Sequence, residues 1–220
     1  MRIKLLTSLV SIVLLLTANS ASAILFTVDF EADSEGLMPN NFVSAGTTGI
    51  SFSDTVGEEL YIFDAGTQGS GNRSLFVVGD QDGSLLNITL DSLVDFISLD
   101  FGNDDPNYTN AGDLAMLNLY SGDTQVGQQT LALNRDDIMN QTISFGSIGG
   151  GISFDNVMFG YVNQYLEPFT GGGATTVGSI EVVDNIIFNT SQVLSVPEPS
   201  TIVLFLVGLV GLVNLKKLHK

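Results

Sequence analysis

Short β-strand patterns run through most of this 220-residue chain, and they constrain its fold more than any other feature. In residues 93–102, for example, the apolar Ile97 and Leu99 flank the polar Ser98, which is the alternation of a half-buried strand. Similar segments, rich in β-branched and aromatic residues and separated by Gly, Asn, Asp and Ser, cover residues 24–31, 49–54, 59–64, 74–79, 84–90, 93–102, 113–120, 124–133, 141–146, 151–162 and 177–189. Short strands at this spacing predict an all-β domain, an antiparallel β-sandwich, over residues 24–195.

The first 23 residues have the pattern of a secretory signal peptide. Two basic residues precede the apolar run Leu5–Leu16, and the small-residue stretch Ala21-Ser22-Ala23 follows. A membrane-spanning helix needs about 20 apolar residues, so this run is too short to be a lasting anchor. We therefore predict an N-terminal signal helix over 1–23 that a signal peptidase removes after the Ala21 and Ala23 motif.

The charge is strongly segregated along the chain. All 24 acidic residues lie between Asp29 and Glu198, against only two basic ones, Arg73 and Arg135, a net charge of −22. Nucleic acids and anionic lipids bind to surfaces that supply Lys and Arg, so this span excludes nucleic-acid binding. The chain has no cysteine, which excludes a disulfide-stapled fold.

The C-terminal residues 196–220 contain three successive parts. Pro197-Glu198-Pro199 comes first, an apolar segment over 201–215 follows, and the basic end 216–220 closes the chain. Fifteen helical residues extend about 22 Å, against a hydrocarbon core of about 30 Å. The sequence predicts a transmembrane helix of marginal length, with its basic end in the cytoplasm and the β-domain on the other side. The alternatives are a permanent tail anchor and a removable tag.

This tripartite arrangement resembles the PEP-CTERM sorting signal of exported proteins in bacteria that make exopolysaccharide. The resemblance implies that exosortase, a membrane transpeptidase, recognises Pro197, Glu198 and Pro199 and removes the tail. The chain would then be held transiently in the inner membrane and released to the cell envelope or the extracellular space.

The two ends of the β-domain resemble the jelly-roll folds of carbohydrate-binding modules. The resemblance rests on Val28-Asp29-Phe30-Glu31 near its start and Val183-Asp184-Asn185-Ile186 near its end. It implies that the first and last strands are neighbours, and that Glu31 and Asp184 hold a structural Ca²⁺ together with backbone carbonyls. The alternative is that both are ordinary acids at strand ends.

A second acidic segment follows the strand pattern at 93–102. Asp100, Asp104 and Asp105 could form a further cation loop, because Ca²⁺ prefers carboxylate and carbonyl oxygens. The alternative is a solvated turn, for which Asn, Asp and Pro are suitable residues.

The side chains available for catalysis are few. Cysteine is absent and the only histidine is His219, so nucleophilic triads and His/Cys zinc sites are excluded from the domain. We therefore predict a non-catalytic structural or adhesive protein associated with the exopolysaccharide of a biofilm. The alternative is a carbohydrate-binding module with a specific glycan site. There is no tryptophan to form a sugar platform, and Tyr108 is the tyrosine predicted to be most exposed.

Overall fold

The computed structural model describes most of the predicted β-domain. Its described residues are 24–57, 60–64, 66, 71, 73–78, 83–104, 106, 109–136, 138–148, 151–169 and 181–190. The predicted signal peptide with Ala21 and Ala23, the sorting tail 196–220, and Asp105 lie outside these residues. Among the described residues, no helix has the length and apolar character needed to cross a bilayer.

Within the described residues, eleven strands form one continuous set of antiparallel ladders. In chain order they are β1 (Ile24–Val28), β2 (Gly36–Met38), β3 (Ile50–Asp54), β4 (Leu60–Phe63), β5 (Ser74–Val77), β6 (Leu86–Gly102), β7 (Leu114–Ser121), β8 (Thr124–Ala132), β9 (Gln141–Gly146), β10 (Phe154–Val162) and β11 (Glu181–Thr190). The prediction of an all-β antiparallel sandwich is confirmed.

The long strand β6 belongs to both layers of the sandwich. Its first half pairs with β3 and β10, and the order β3-β6-β10-β7-β8 forms what we call the front sheet. Its second half pairs with β9 and β11, and the order β2-β4-β5-β11-β6-β9 forms the back sheet. β1 extends the back sheet beside the second half of β11. The expected adjacency of the first and last strands is therefore confirmed.

The hydrophobic core lies between the two sheets. In β3 every second residue is buried, because successive side chains of a strand point to opposite faces. The ring of Phe101 on the back sheet lies 5.6 Å from that of Phe159 and 6.1 Å from that of Tyr161, both on the front sheet. Such aromatic contacts join the two layers, and their ring separations are those usual for paired aromatic side chains.

The segments 84–90 and 93–102 were predicted as two strands, and this division is wrong. The structure has the single 17-residue strand β6. Asp91, Ser92 and Leu93 are exposed where it passes from one sheet to the other. Each half buries its own alternating residues, and only the change of ladder partners distinguishes the two halves.

Candidate functional site

The outer surface of the front sheet carries an uncharged polar face. Two rows of side chains cross its five strands, and all of them are at least partly exposed. The rows are Ser51, Thr89, Asn156, Tyr120 and Gln125, and Ser53, Asn87, Met158, Asn118 and Gln128. None of these ten side chains is charged, although the surrounding chain is strongly acidic. We call this surface the amide face.

Hydrogen bonds between strands order the amides of this face. Asn156 donates to Oδ1 of Asn87 at 2.7 Å and to Oγ1 of Thr89 at 3.3 Å. Gln125 and Gln128 both donate to Oδ1 of Asn118, at 3.1 and 2.8 Å. A primary amide has two donors and an oxygen with two lone pairs, so such groups can also bind hydroxyls of a ligand. The amide face is therefore preorganised for hydrogen bonding.

A cleft of about 520 Å³ opens on the amide face. Leu90, Tyr120 and Met158 provide its apolar surface, and Asp123 lines it from the turn between β7 and β8. Asp155 lies beside the turn between β7 and β8, and it accepts a hydrogen bond from the backbone N–H of Gly122 at 2.9 Å. The cleft therefore combines an aromatic ring with amides, and its carboxylates lie toward one end.

The structure brings the predicted calcium ligands Glu31 and Asp184 together beside Gly71. A Cβ placed on Gly71 would lie 2.0 Å from Oε1 of Glu31 and 3.7 Å from Oδ2 of Asp184. Any side chain at position 71 would fill the space between the two carboxylates. Asp184 is 1% exposed and accepts hydrogen bonds from Oγ of Ser74 at 3.4 Å and from the backbone N–H of Asn185 at 2.7 Å.

Arg73 binds the loop that follows β1. Its Nη1 donates to the backbone oxygen of Glu31 at 2.8 Å and to that of Asp33 at 2.5 Å. Its backbone N–H donates to Oε1 of Glu31 at 3.2 Å, and its Nε lies 3.7 Å from a carboxylate oxygen of Glu35. The guanidinium thus supplies positive charge within an acidic loop.

The predicted second cation loop divides into two environments. Asp100 is the ladder partner of Asp184 and accepts hydrogen bonds from Thr142 and Asn185, at 2.6 and 3.1 Å. Asp104 is fully buried, and its carboxylate accepts a hydrogen bond from the backbone N–H of Arg135 at 2.7 Å. In the part of the chain that the structure describes, no three or more Asp, Glu or His side chains form a group able to hold a metal. A metal here would depend on backbone oxygens, and this site stays a prediction.

Arg135 repeats the arrangement of Arg73 in another loop. Its Nη2 donates to the backbone oxygens of Pro106 and Thr109, at 3.0 and 2.8 Å. The two arginines are the only basic residues between Asp29 and Glu198, and each donates hydrogen bonds to backbone carbonyls of one loop. Arginine suits this role because its planar group presents several donors in a fixed geometry.

Tyr161 has a buried hydroxyl group close to the predicted second cation loop. Its hydroxyl donates to the backbone oxygen of Gly102. Burial raises its pKa well above the ordinary value of 10.0, and the carboxylates of Glu181 and Asp104 raise it further. A tyrosinate is disfavoured in such a site because its charge would be poorly solvated and repelled. Tyr161 is therefore a neutral structural donor.

The amide face was not found from the sequence. Its residues are spread over five strands between positions 51 and 158, and only the register brings them into rows. The sequence does show polar residues at alternate positions of these strands. That pattern by itself indicates only that one side of each strand faces solvent. Tyr108, the tyrosine predicted to be most exposed, lies outside the described residues, whereas Tyr120 borders the cleft.

Comparison with known proteins identifies the C-terminal motif. Residues 195–217 match the model of the PEP-CTERM protein-sorting motif, which confirms the resemblance stated for Pro197, Glu198 and Pro199. This motif is that of exported proteins with a membrane-anchored sorting signal. A search of curated protein sequences found no match.

Several solved structures align with the β-domain at low identity. A Stig cyclase from Fischerella sp. TAU is 15% identical, with a TM-score of 0.42 over 77% of this chain and 98% of that one. The CBM22-1 xylan-binding domain of Paenibacillus barcinonensis Xyn10C is 10% identical, with a TM-score of 0.39 over 78% and 97%. The mannan-recognising module TmCBM27 is 14% identical, with a TM-score of 0.39 over 77% and 99%. These likenesses assign no ligand to this chain.

Proposed function

We propose that the protein is an exported, non-catalytic component of the cell envelope or extracellular matrix whose β-sandwich binds neutral polysaccharide on the amide face. The PEP-CTERM motif at residues 195–217 supports export and sorting. The amide face carries the proposal for binding, because it presents rows of uncharged amide and hydroxyl groups beside the ring of Tyr120. Sugar hydroxyls both donate and accept hydrogen bonds, and the apolar face of a sugar ring stacks on an aromatic ring.

The charge of the domain favours a neutral glycan. With 24 acidic and two basic residues between Asp29 and Glu198, the domain repels a polyanion at low salt. The amide face lacks the Lys and Arg side chains that would pair with carboxylate or sulfate groups. A protein partner is less suitable, because the centre of a protein interface is usually richer in apolar side chains than this face.

Glycan binding to the full chain tests this proposal. We expect binding to one or more neutral polysaccharides on a glycan array, and a loss of about tenfold in affinity for Tyr120→Ala, because aromatic contacts often dominate such sites. Tyr165→Ala is the matched control, since Tyr165 is 74% exposed and does not line the cleft. The same loss in both variants, or no binding to any neutral glycan, would contradict the proposal.

The same measurement separates a specific module from a matrix component. Saturable binding to one glycan class that Tyr120→Ala abolishes favours a carbohydrate-binding module. Weak binding to several neutral glycans, combined with calcium-dependent self-association, favours a structural or adhesive role in an exopolysaccharide matrix. Turnover of any glycan would contradict the non-catalytic assignment.

Sorting has a direct test in the native host. We expect signal peptidase to remove residues 1–23 and an exosortase-type transpeptidase to act near Pro197–Pro199. The measured mass of the mature protein should then lack residues 201–220. A mature form that retains those residues would show that the tail is a permanent anchor.

Calcium is a further part of this proposal. Glu31 and Asp184 would hold the ion together with backbone oxygens, because both carboxylates lie near Gly71 and carboxylate oxygens are ligands that Ca²⁺ prefers. The ion would offset repulsion between the two carboxylates and tie the loop after β1 to β11. Arg73 already binds two carbonyls of the same loop, so the ion would complement the arginine.

A further inference from the structure

Four exposed aliphatic side chains lie at one end of the sandwich. Leu25, Leu93, Ile148 and Ile152 are each between 46% and 52% exposed. Singly exposed apolar residues are common on protein surfaces, but a group of them at one place indicates a contact surface. We call this group the tail-proximal patch, because its residues lie within two positions of ladder rungs at the end of β11.

The register of the back sheet places the first two residues of the patch. Leu25 pairs with Asn189, the residue before the end of β11. Thr190, the last residue of β11, pairs with Val94, and Leu93 directly precedes Val94. Both side chains therefore belong to the last rungs of the sheet, where the described chain ends.

The loop between β9 and β10 brings the other two residues to the same end. Gly146 pairs with β6 close to the same rungs, and Ile148 follows it by two residues. Phe154 pairs with Val94, and Ile152 precedes it by two residues. The two isoleucines flank three glycines in the uncharged sequence Ser-Ile-Gly-Gly-Gly-Ile-Ser over 147–153.

The charges at this end do not suit binding to anionic groups. Asp91 is exposed in the bend of β6, and Asp95 is buried beside Asn189, whose amide donates to it. The only basic residues of the domain, Arg73 and Arg135, are engaged with loop carbonyls elsewhere. Contact with a membrane would therefore depend on apolar insertion, as for interfacial segments that place Leu or Phe at the level of the headgroups.

The length of the tail limits how far this end can move from a membrane. Six residues separate Thr190 from Pro197, and a fully extended chain advances at most about 3.6 Å per residue, so a linker of this length can span at most about 25 Å. The apolar segment 201–215 begins four residues after Pro197. Tethering over so short a distance keeps a weak contact at a high effective concentration.

We propose that the tail-proximal patch rests on the outer surface of the membrane while the tail is inserted, and that it holds Pro197–Pro199 at the bilayer surface for the transpeptidase. This inference rests on the proposed sorting function. The four side chains insert into the headgroup region of zwitterionic lipid. When the tail is cut the tether is lost, and a patch of four half-exposed side chains is too small to retain the domain.

Single-cysteine labelling of the full chain tests this inference. The chain has no cysteine, so an environment-sensitive fluorophore can be placed at one site at a time. We compare Ile148→Cys with Tyr165→Cys in phosphatidylethanolamine vesicles that carry a headgroup quencher. Tyr165 lies three residues beyond the far end of β10, a strand of nine residues or about 30 Å, and it is 74% exposed. Flotation of the vesicles reports separately whether the tail is inserted.

The expected result is flotation of both proteins, with quenching about threefold or more stronger at position 148 than at position 165, because interfacial side chains lie 5–10 Å deep. The double variant Ile148→Ser/Ile152→Ser, labelled through Leu93→Cys, should float equally and lose the quenching of its label. Flotation with equal quenching at 148 and 165 would overturn the patch alone. Failure to float would overturn the sorting proposal and the patch together. A concentration-dependent spectral shift without lipid would assign the patch to a second copy of the chain.

Discussion

Replacing Arg73 with methionine tests whether the arginines stabilise this acidic domain by binding loop carbonyls. Methionine keeps most of the apolar stem and removes the donors. The variant loses the hydrogen bonds from Nη1 to the backbone oxygens of Glu31 and Asp33, at 2.8 and 2.5 Å. It also loses the ion pair with Glu35, which is 3.7 Å long and well exposed.

The two carbonyl contacts should account for most of the loss. A hydrogen bond from a charged group contributes about 1.5–3 kcal/mol when buried, and the side chain of Arg73 is 32% exposed, which lowers this figure. We expect Arg73→Met to reduce the free energy of unfolding by roughly 2–3 kcal/mol. For a domain of this size that corresponds to a decrease in Tm of about 5–10 °C.

Urea and thermal unfolding measure this effect, and two variants serve as controls. Glu35→Gln removes only the exposed ion pair and should change stability by less than about 0.5 kcal/mol. Arg73→Lys keeps the charge but not the planar group, so its stability should fall between the wild type and Arg73→Met. Added salt should leave the loss unchanged, because contacts with carbonyls are screened less than surface ion pairs. Equal stability of Arg73→Met and Glu35→Gln would refute the reasoning.

Two further predictions concern the calcium site and the buried tyrosine. EDTA should lower the Tm of the wild-type protein, because it removes bound calcium. Glu31→Gln and Asp184→Asn should each lower the Tm in the absence of EDTA. An unchanged Tm in all three experiments would contradict the calcium site. Tyr161→Phe loses the bond to the backbone oxygen of Gly102 and should cost about 1–2 kcal/mol in unfolding experiments. Because the pKa of Tyr161 is raised in the fold, its contribution to stability is complete below pH 10 and decreases as the pH rises further. A pH titration followed by absorbance at 295 nm should show that Tyr161 ionises only when the protein unfolds. Ionisation of Tyr161 at the same pH as the exposed tyrosines would contradict its burial.

Much of the fold could be predicted from local patterns. The strand segments 141–146 and 113–120 match β9 and β7 closely, because alternating side chains and turn residues are local signals. The continuity of β6 could not be predicted, since the polar Asp91 and Ser92 between its two halves are typical of a turn. Only the pairing of its halves with different neighbours shows that the strand bends without ending.

The candidate sites differ in how far the sequence revealed them. Glu31 and Asp184 were paired by the resemblance of the two ends of the domain, and the structure places them beside the same glycine. Asp100 and Asp104 are close in sequence, yet they have different hydrogen-bonding partners, because Asp100 is in a strand and Asp104 is in the following loop. Binding of calcium at either place stays a prediction.

The sequence by itself determined that the chain carries an export-type sorting motif and what charge its domain carries. A sorting motif is a linear segment and net charge is a sum over residues, so neither depends on the fold. The tertiary structure decided which side chains act together. Strands distant in the chain became neighbours, and their register aligned Asn156 with Tyr120 and Leu25 with the end of β11. Shared surfaces of this kind depend on long-range pairing, which local periodicity does not specify.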